Sequence, residues 1–270
     1  MSGLSGRAFR RAREVAIWMA PYGLVETIRL LGQMRRGGTT WGEAVRIAAR
    51  PARRHALRNS RLDLLPAREL QRLGVVVDVG ANVGDWTAAI LAVAAPQWVI
   101  AVEPGPKTAD LLRARFLGDA RVRVVEAAVG SSNGRTSFHV TEHSHAASVV
   151  LACGPHRPLL GSGADVLADV DVQMVTLDTL VADTDRISLL KIDVQGYERA
   201  VLAGAKEALA KTTWVILEAN FVHQYEGDAL LPELVLTMEE AGFELANMST
   251  PLVAQGQALF ADALFRRAGP

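Results

Sequence analysis

Cysteine is almost absent from this sequence, because Cys153 is the only one among 270 residues. An internal disulfide framework is therefore excluded. Long apolar runs are missing as well, since none approaches the roughly 18 residues that span a bilayer, and the N-terminus shows no cleaved signal. We expect a cytoplasmic protein. Its 50% hydrophobic content is enough for one α/β domain with an appendage.

Net charge is also absent, but the charges are unevenly placed. Residues 1–72 contain 15 arginines and five acidic residues, a net charge of +10. Residues 73–270 contain 14 basic and 24 acidic residues, a net charge of −10. The sequence therefore predicts two units, a basic N-terminal cap over 1–72 and a second domain over 73–270.

Apolar positions at helical spacing, such as Leu24, Ile28 and Leu31, predict that the cap is helical. We expect the cap to dock on the acidic domain and to wall its pocket. The alternative is a peripheral contact of residues 1–36 with an anionic membrane, because basic amphipathic helices favour anionic lipid.

A glycine-rich turn follows the first apolar strand of the second domain. The run VVVDVGANVG spans residues 75–84, and WVIAVEP spans residues 98–104. A strand, a glycine turn, a helix and a second strand ending in an acid are typical of sites for adenosine-bearing cofactors. Gly80 and Gly84 let the turn lie flat against a ligand and expose its N–H groups. Glu103, at the end of the second strand, can accept hydrogen bonds from both ribose hydroxyls.

This turn lacks the GxG pair that admits the pyrophosphate of a dinucleotide. Asp78 precedes the first glycine by two residues, where an acid would repel a diphosphate but suit a ligand with a positive amino group. These features favour S-adenosylmethionine. A nicotinamide-dependent oxidoreductase stays the alternative.

Several motifs occur in a characteristic order along the second domain. They are DVGANVGDW, AVEPGP, VVEAAVG, SFHV, SHAAS, VTLDTL, LLKIDVQGYE, VLAGA and VILEAN. They resemble the FkbM family of class I S-adenosylmethionine-dependent methyltransferases over about residues 74–266, and KIDVQGYE is the most specific part. The resemblance implies methylation of a hydroxyl group on a sugar, glycoside, polysaccharide precursor or related secondary metabolite.

Strand and helix patterns alternate beyond Leu73, as a doubly wound sheet requires. With the resemblance, they predict an α/β fold with the seven-stranded, Rossmann-like sheet of class I methyltransferases. The last two strands, near 243–248 and 258–266, are too close for a helical crossover and should pair antiparallel. We expect the other strands near 75–79, 98–103, 122–127, 187–192 and 213–218, and helices near 84–95, 106–117, 197–210 and 230–242.

Ligands of such sheets bind at the carboxyl ends of the strands. Residues at or after the ends of the first four strands are therefore expected to bind the cofactor. They are Asp78, Gly80, Asn82, Gly84, Glu103, Pro104, Glu126, Ala127 and Asp193.

About 60 residues separate the third strand from the fourth, far more than the roughly 2 to 6 residues of ordinary connections. We expect this passage to form a loop that serves as lid and acceptor pocket.

Methyl transfer to a hydroxyl needs a group that takes the proton of that hydroxyl. Asp193 is expected beside the methyl group and is the first candidate. His145, in the long passage, and His223 are the alternatives, because the pKa of a histidine is better matched to neutral pH.

Asp193, Glu218 and Asn220 follow neighbouring strands and offer oxygen ligands to a hard cation such as Mg²⁺. The set is similar to the magnesium sites of some sugar and catechol O-methyltransferases, and a bound cation is a second way to activate the hydroxyl.

We further expect a small-molecule or oligosaccharide acceptor, a homodimer and no nucleic-acid partner. A different class of function also stays open, namely a membrane-associated binding protein that keeps the fold without the activity.

Overall fold

The computed structural model describes residues 60–142, 147–153 and 165–269. The strands are β1 (Val75–Val79), β2 (Trp98–Val102), β3 (Val122–Val125), β4 (Ala128–Val129), β5 (Gly134–Thr141), β6 (Val166–Val175), β7 (Ile187–Ile192), β8 (Thr212–Asn220), β9 (Phe243–Met248), β10 (Leu252–Ala254) and β11 (Gln257–Arg267). The helices are α1 (Ala67–Leu70), α2 (Asp85–Val93), α3 (Pro106–Arg115), α4 (Leu177–Leu180), α5 (Glu198–Ala203), α6 (Lys206–Ala210) and α7 (Leu231–Glu240). A 3₁₀ turn, Leu62–Leu64, precedes α1.

The large sheet has the strand order β10-β11-β8-β7-β1-β2-β3. Strands β3, β2, β1, β7 and β8 are parallel, and β11 runs antiparallel to β8. Strands β9 and β10 pair with successive stretches of the outer edge of β11. The predicted doubly wound sheet with a reversed last strand is therefore confirmed. The short β10 adds an eighth strand.

Buried side chains pack on both faces of this sheet. Val77 and Val79 of β1 belong to a cluster on one face, together with Val201 of α5. Val76 belongs to a cluster on the other face, together with Ile90 of α2. Because successive side chains of a strand point to opposite faces, one apolar strand fills both layers. Its backbone is thereby fixed where it enters the glycine turn.

The described end of the predicted basic cap packs on the sheet. Leu62, Leu65 and Leu70 are buried in the same cluster as Val76. The predicted boundary between residues 72 and 73 thus falls inside one hydrophobic cluster, and the division into two domains stays a prediction.

Residues 1–59, including the predicted membrane contact of residues 1–36, lie outside the described part of the chain. Among the residues that are described, no helix is long and apolar enough to cross a membrane.

The passage between β3 and β7 contains a second sheet, which corrects the expectation of a long loop. Strand β6 pairs in parallel with β4 and antiparallel with β5. In the run VLADVDVQMV of β6, apolar residues alternate with polar ones, and Val172 packs against Phe138 and Ala128. Alternation of this kind is typical of a strand with one buried face. The second sheet places Phe138 beside the end of β2.

The single helix expected over 197–210 is divided into α5 and α6. The break follows Gly204, where an added Cβ would lie 2.2 Å from the carbonyl oxygen of Gly130. A glycine at this position lets the end of α5 approach the backbone that follows β4, so the two sheets are packed closely here.

Candidate active site

A cavity of about 710 Å³ opens at the carboxyl ends of β1, β2, β7 and β8. Seven of the predicted site residues line it, namely Gly80, Asn82, Glu103, Pro104, Ala127, Asp193 and Glu218. Phe138, Gln195 and Asp262 also line it, and the sequence reasoning assigned them no role. The roles of the seven predicted residues in binding stay predictions, but the fold brings them to one place.

Glu103 is anchored at the end of β2 by two backbone groups. Its Oε2 accepts a hydrogen bond from the N–H of Asn82 at 2.9 Å, and its Oε1 accepts one from the N–H of Gly105 at 3.0 Å. Burial raises the pKa of Glu103 to about 7, although the two N–H groups lower it. Each carboxylate oxygen has a second lone pair, so Glu103 can still accept hydrogen bonds from a ligand in the cavity.

The glycine turn directs its N–H groups into the protein. The N–H groups of Gly80 and Ala81 both donate to the carbonyl oxygen of Val102, and that of Asn82 donates to Oε2 of Glu103. The N–H group of Val83 donates to Oδ1 of Asn82, and that of Gly84 donates to the carbonyl oxygen of Ala81. This finding corrects the expectation that the turn exposes these groups to a ligand. A turn whose five N–H groups already have acceptors is poorly suited to a pyrophosphate, which binds through such donors. It does suit a nucleoside that is held by its sugar.

Asp78 lies beneath the turn and does not line the cavity. Its side chain is fully buried, and its Oδ2 accepts a hydrogen bond from the Thr87 hydroxyl at 2.6 Å. Its Oδ1 lies 3.1 Å from Nζ of Lys191. The predicted pairing of Asp78 with a positive ligand is therefore corrected, because Lys191 supplies the positive charge.

Gly84 and Glu126 also lie away from the cavity lining. A Cβ at Gly84 would lie 2.5 Å from the ring of Phe116, so this glycine allows α2 to approach the end of α3. Glu126 pairs with Arg113 at 2.6 Å on the surface. Neither residue is placed to bind the cofactor as predicted.

Asp193, at the end of β7, lines the cavity and has a partner for each carboxylate oxygen. Its Oδ1 accepts a hydrogen bond from Nε2 of Gln195 at 2.7 Å, and its Oδ2 lies 3.4 Å from Nζ of Lys191. Lys191 is buried. Burial lowers its pKa, but Asp78 and Asp193 outweigh this effect and raise the pKa above its ordinary value. Lys191 therefore stays charged and connects the two aspartates.

Two further acids face each other across β8 and β11. Glu218 and Asp262 are directly opposite in the antiparallel register. Burial raises the pKa of Glu218 well above its ordinary value, and the charge of Asp193 adds to this effect. Burial also raises the pKa of Asp262, although Arg61, 2.9 Å away, opposes the change. The cavity thus has several carboxyl groups at one end, contributed by Asp193, Glu218 and Asp262.

The predicted magnesium ligands are not assembled. Asn220 is buried with its side-chain amide bonded to Asp228 at 2.9 Å and to Gln224 at 2.6 Å. It therefore does not join Asp193 and Glu218 in the cavity. Within residues 60–142, 147–153 and 165–269, no group of three or more acidic, histidine or cysteine side chains could hold a metal ion.

The two predicted catalytic histidines have different outcomes. His223 lies away from the cavity lining, with its Nδ1 2.5 Å from Oδ1 of Asp228. His145 lies outside the described residues. From the same passage, Ala147 and Val149 line the cavity. The passage between the third and fourth strands of the parallel core therefore contributes to the cavity wall, and its role as lid and acceptor pocket stays a prediction.

The chain matches the family model of the methyltransferase FkbM domain over residues 78–245. It is 28% identical over 160 residues to the 2-O-methyltransferase NoeI of Sinorhizobium fredii (strain NBRC 101917 / NGR234), an alignment that covers 57% of this chain and 66% of that protein. It is also 28% identical over 223 residues to the 31-O-demethyl-FK506 methyltransferase FkbM of Streptomyces tacrolimicus, which covers 74% of this chain and 84% of that protein.

Among solved structures, the fold is similar to that of methyltransferase FkbM from Methylobacillus flagellatus KT. The TM-score is 0.51 at 15% sequence identity, with 77% of this chain and 47% of that chain covered. The chain therefore spans less than half the length of that structure and just under two thirds of NoeI.

The family match extends over more than half of the chain and includes the end of β1 and all of β2, β7 and β8, whose ends form the cavity. The family match favours a methyltransferase over the predicted alternatives, an oxidoreductase and a binding protein without activity. The chain belongs to the FkbM family of class I S-adenosylmethionine-dependent methyltransferases.

Proposed function

We propose that this methyltransferase binds S-adenosylmethionine in the cavity and methylates a hydroxyl group of a sugar, glycoside or related secondary metabolite. The anchored carboxylate of Glu103 is the observation on which this proposal mainly depends. It lies at the end of β2, is held by two backbone N–H groups, and lines the cavity. Vicinal ribose hydroxyls are the donors that such a carboxylate binds well.

Apolar side chains beside Glu103 complete the proposed nucleoside site. Pro104, Ala127 and Phe138 line the same cavity. Flat apolar surfaces of this kind accommodate a purine ring, and aromatic side chains can stack on it. The N–H groups of the glycine turn already have acceptors, which is compatible with a nucleoside that has no phosphate group.

Asp193 is the proposed proton acceptor. S-adenosylmethionine, when bound, would supply an electrophilic methyl group to the acceptor oxygen and would leave as a neutral thioether. The hydroxyl proton passes to Asp193, which balances the charge. Gln195 and Lys191 hold the carboxylate of Asp193 in the cavity, and alignment of this kind contributes much of the rate in displacement reactions.

The acidic end of the cavity supports a polyhydroxylated acceptor. Asp193, Glu218 and Asp262 present several oxygen atoms within one wall, and neighbouring hydroxyl groups can donate to them. The names of the two relatives, a 2-O-methyltransferase and a 31-O-demethyl-FK506 methyltransferase, both refer to methylation of oxygen. That chemistry supports an oxygen acceptor here.

Calorimetry with S-adenosylmethionine and S-adenosylhomocysteine tests the cofactor site. We expect Glu103→Ala to weaken binding by at least about 100-fold, because two hydrogen bonds to a charged group are lost. Glu126→Ala is the matched control, since Glu126 ends the next strand but pairs with Arg113 on the surface. Equal affinities of Glu103→Ala and the wild type would contradict the ribose assignment.

A screen with methyl-labelled S-adenosylmethionine tests the acceptor. Methyl glycosides, free sugars and glycosylated metabolites are offered in parallel with non-hydroxylated amines. Label in the glycosides that depends on Asp193 supports the proposal. Transfer to amines alone, or an Asp193→Asn variant as fast as the wild type, would contradict it.

A further inference from the structure

The residues that follow Asp193 adopt an unusual backbone conformation. Gln195 has a φ of 54°, and Gly196 has a φ of 94°. A non-glycine residue in the left-handed region is strained and persists where its surroundings hold it. We therefore expect the contacts of Gln195 to offset this strain.

Surrounding groups hold this loop on both sides. The hydroxyl of Ser148 lies 3.0 Å from the carbonyl oxygen of Val194 and 2.8 Å from that of Gln195. On the other side, Oε1 of Glu198 accepts hydrogen bonds from the N–H groups of Val194 and Gly196. The strained backbone is thus fixed, and the Gln195 side chain projects from a rigid support.

The side-chain amide of Gln195 connects three functional groups. Its Nε2 donates to Oδ1 of Asp193 at 2.7 Å and lies 3.4 Å from Oε1 of Glu218. Its Oε1 accepts a hydrogen bond from the hydroxyl of Tyr225 at 2.5 Å. The amide therefore presents its donor to the acids and its acceptor to the phenol.

Tyr225 determines which way this amide points. The residue is buried, and burial raises the pKa of its phenol above the ordinary value, with Glu218 and Glu198 adding to the effect. The phenol keeps its proton and donates it to Oε1 of Gln195, so the oxygen of the Gln195 amide faces Tyr225. The nitrogen then has to face Asp193.

We infer that Gln195 is a positioning residue whose amide, oriented by Tyr225, fixes the Asp193 carboxylate in the direction that receives the acceptor's proton. The inference rests on the proposed function, because it assigns the reason why Asp193 is held. Gln195 acts through Asp193 and takes no proton itself. A free carboxylate would rotate about its Cβ–Cγ bond, whereas two bonded oxygens restrict that rotation.

Two substitutions of Gln195 separate its hydrogen bonds from its volume. Gln195→Met keeps the volume without hydrogen bonds, and Gln195→Glu keeps the length but removes the N–H donor. With the methyl glycoside of highest turnover, we expect kcat to fall about 10- to 100-fold in both. The KM for the glycoside and the Kd for S-adenosylhomocysteine should stay within about twofold, because ground-state binding is unchanged. Gln173→Met and Gln173→Glu, on the exposed face of β6, are matched controls with wild-type kcat.

A double substitution tests the role of Tyr225. Tyr225→Phe should lower kcat, because the amide of Gln195 loses the group that orients it. The combination Gln195→Met/Tyr225→Phe should be no slower than Gln195→Met alone, since groups that act through one another are not additive. Independent, multiplying losses would overturn the inference.

Nuclear magnetic resonance tests the contact without any acceptor. The Nε2 protons of Gln195, recorded with S-adenosylhomocysteine bound, are assigned by their loss in Gln195→Met. They should shift in Asp193→Asn and in Tyr225→Phe. Unmoved signals would overturn the inference even if no glycoside is methylated.

The two proposals fail in different ways. If the proposed function is wrong, the wild type does not bind S-adenosylhomocysteine or does not methylate a hydroxyl group. If only the role of Gln195 is wrong, the wild type is active and Gln195→Met turns over at the wild-type rate.

Discussion

Nζ of Lys191 lies 3.1 Å from Oδ1 of Asp78, directly beneath the glycine turn. The same nitrogen donates to the carbonyl oxygen of Gly80 at 3.0 Å. One buried ammonium group therefore connects the turn, the strand before it and, through Asp193, the proposed reaction site. This arrangement explains why the buried strands β1 and β7 each carry a charged residue.

We expect Lys191→Met to destabilise the fold by about 3 to 5 kcal/mol, because Asp78 would be left buried without its counter-charge. Urea unfolding followed by circular dichroism measures the change. The double variant Asp78→Asn/Lys191→Met should lose less free energy of unfolding than Lys191→Met alone. Lys206→Met, at an exposed position on α6, should have a free energy of unfolding close to that of the wild type. A Lys191→Met protein as stable as Lys206→Met would contradict this account.

Gly80 is expected to tolerate no side chain. Its φ is 78°, and an added Cβ would lie 1.9 Å from the carbonyl oxygen of Asp193. Gly227 has a φ of 70° with no atom within 4 Å of the added Cβ, so Gly227→Ala isolates the backbone cost of about 1 to 2 kcal/mol. Gly80→Ala should lose clearly more stability in urea and should bind S-adenosylhomocysteine weakly. Equal losses would show that the contact with Asp193 is unimportant.

The pH dependence of nucleoside binding should report on Glu103. Its pKa of about 7 means that the carboxylate is mostly ionised at pH 8 and mostly protonated at pH 6. Ribose hydroxyls donate better to the ionised form. Binding of 5′-methylthioadenosine, which lacks the amino-acid part, should therefore weaken by about 10-fold from pH 8 to pH 6.

Calorimetry at pH 6, 7 and 8 measures this dependence. The variant Glu103→Gln should bind more weakly at pH 8 and show no comparable change with pH. A wild-type affinity that is flat over this range would argue against contact between Glu103 and the ribose. The same slope in Glu103→Gln would assign the pH dependence to another group.

Glu198 should make the free enzyme less stable as the pH rises. Burial raises its pKa from 4.5 to about 7, so the folded state binds more protons than the unfolded state between these values. The contribution is therefore present at low pH and lost as the pH passes through 7. Glu103 contributes with the same sign.

Urea unfolding between pH 5 and pH 8 measures this effect. In Glu198→Gln, the decrease in the free energy of unfolding should be smaller than in the wild type, because one of the titrating groups is gone. Glu239→Gln, at an exposed position of α7, should retain the full decrease. An identical pH profile for all three proteins would contradict the assignment.

Much of the parallel core could be predicted because its strands are short apolar runs between helices. The run VVVDV becomes β1 with the expected ends, and WVIAV becomes β2, which ends one residue earlier than predicted; the acid that follows β2 lines the cavity. The position of Glu103 directly after β2 is enough to predict that it lies at the cavity, because the strand fixes the backbone at that point.

The side-chain directions of Glu126 and Asn220 could not be predicted from the sequence, because a position at a strand end does not show which nearby helix or loop residue will bind the side chain. Arg113 of α3 pairs with Glu126. Asp228, which follows β8, accepts a hydrogen bond from the side-chain amide of Asn220. The motif KIDVQGYE drew attention to Asp193, yet only the left-handed backbone of Gln195 turns that amide toward it. The second sheet could have been recognised from the alternation in β6.

The inward-facing amides of the glycine turn have a consequence for selectivity among metabolites. Adenine nucleotides that carry phosphate groups share the adenosine part of the proposed ligand, but they would find no unengaged amides at residues 80–84. The backbone of the glycine turn would then discriminate against these nucleotides. Such an enzyme could keep its site available in the presence of abundant ATP without a dedicated side chain to repel it.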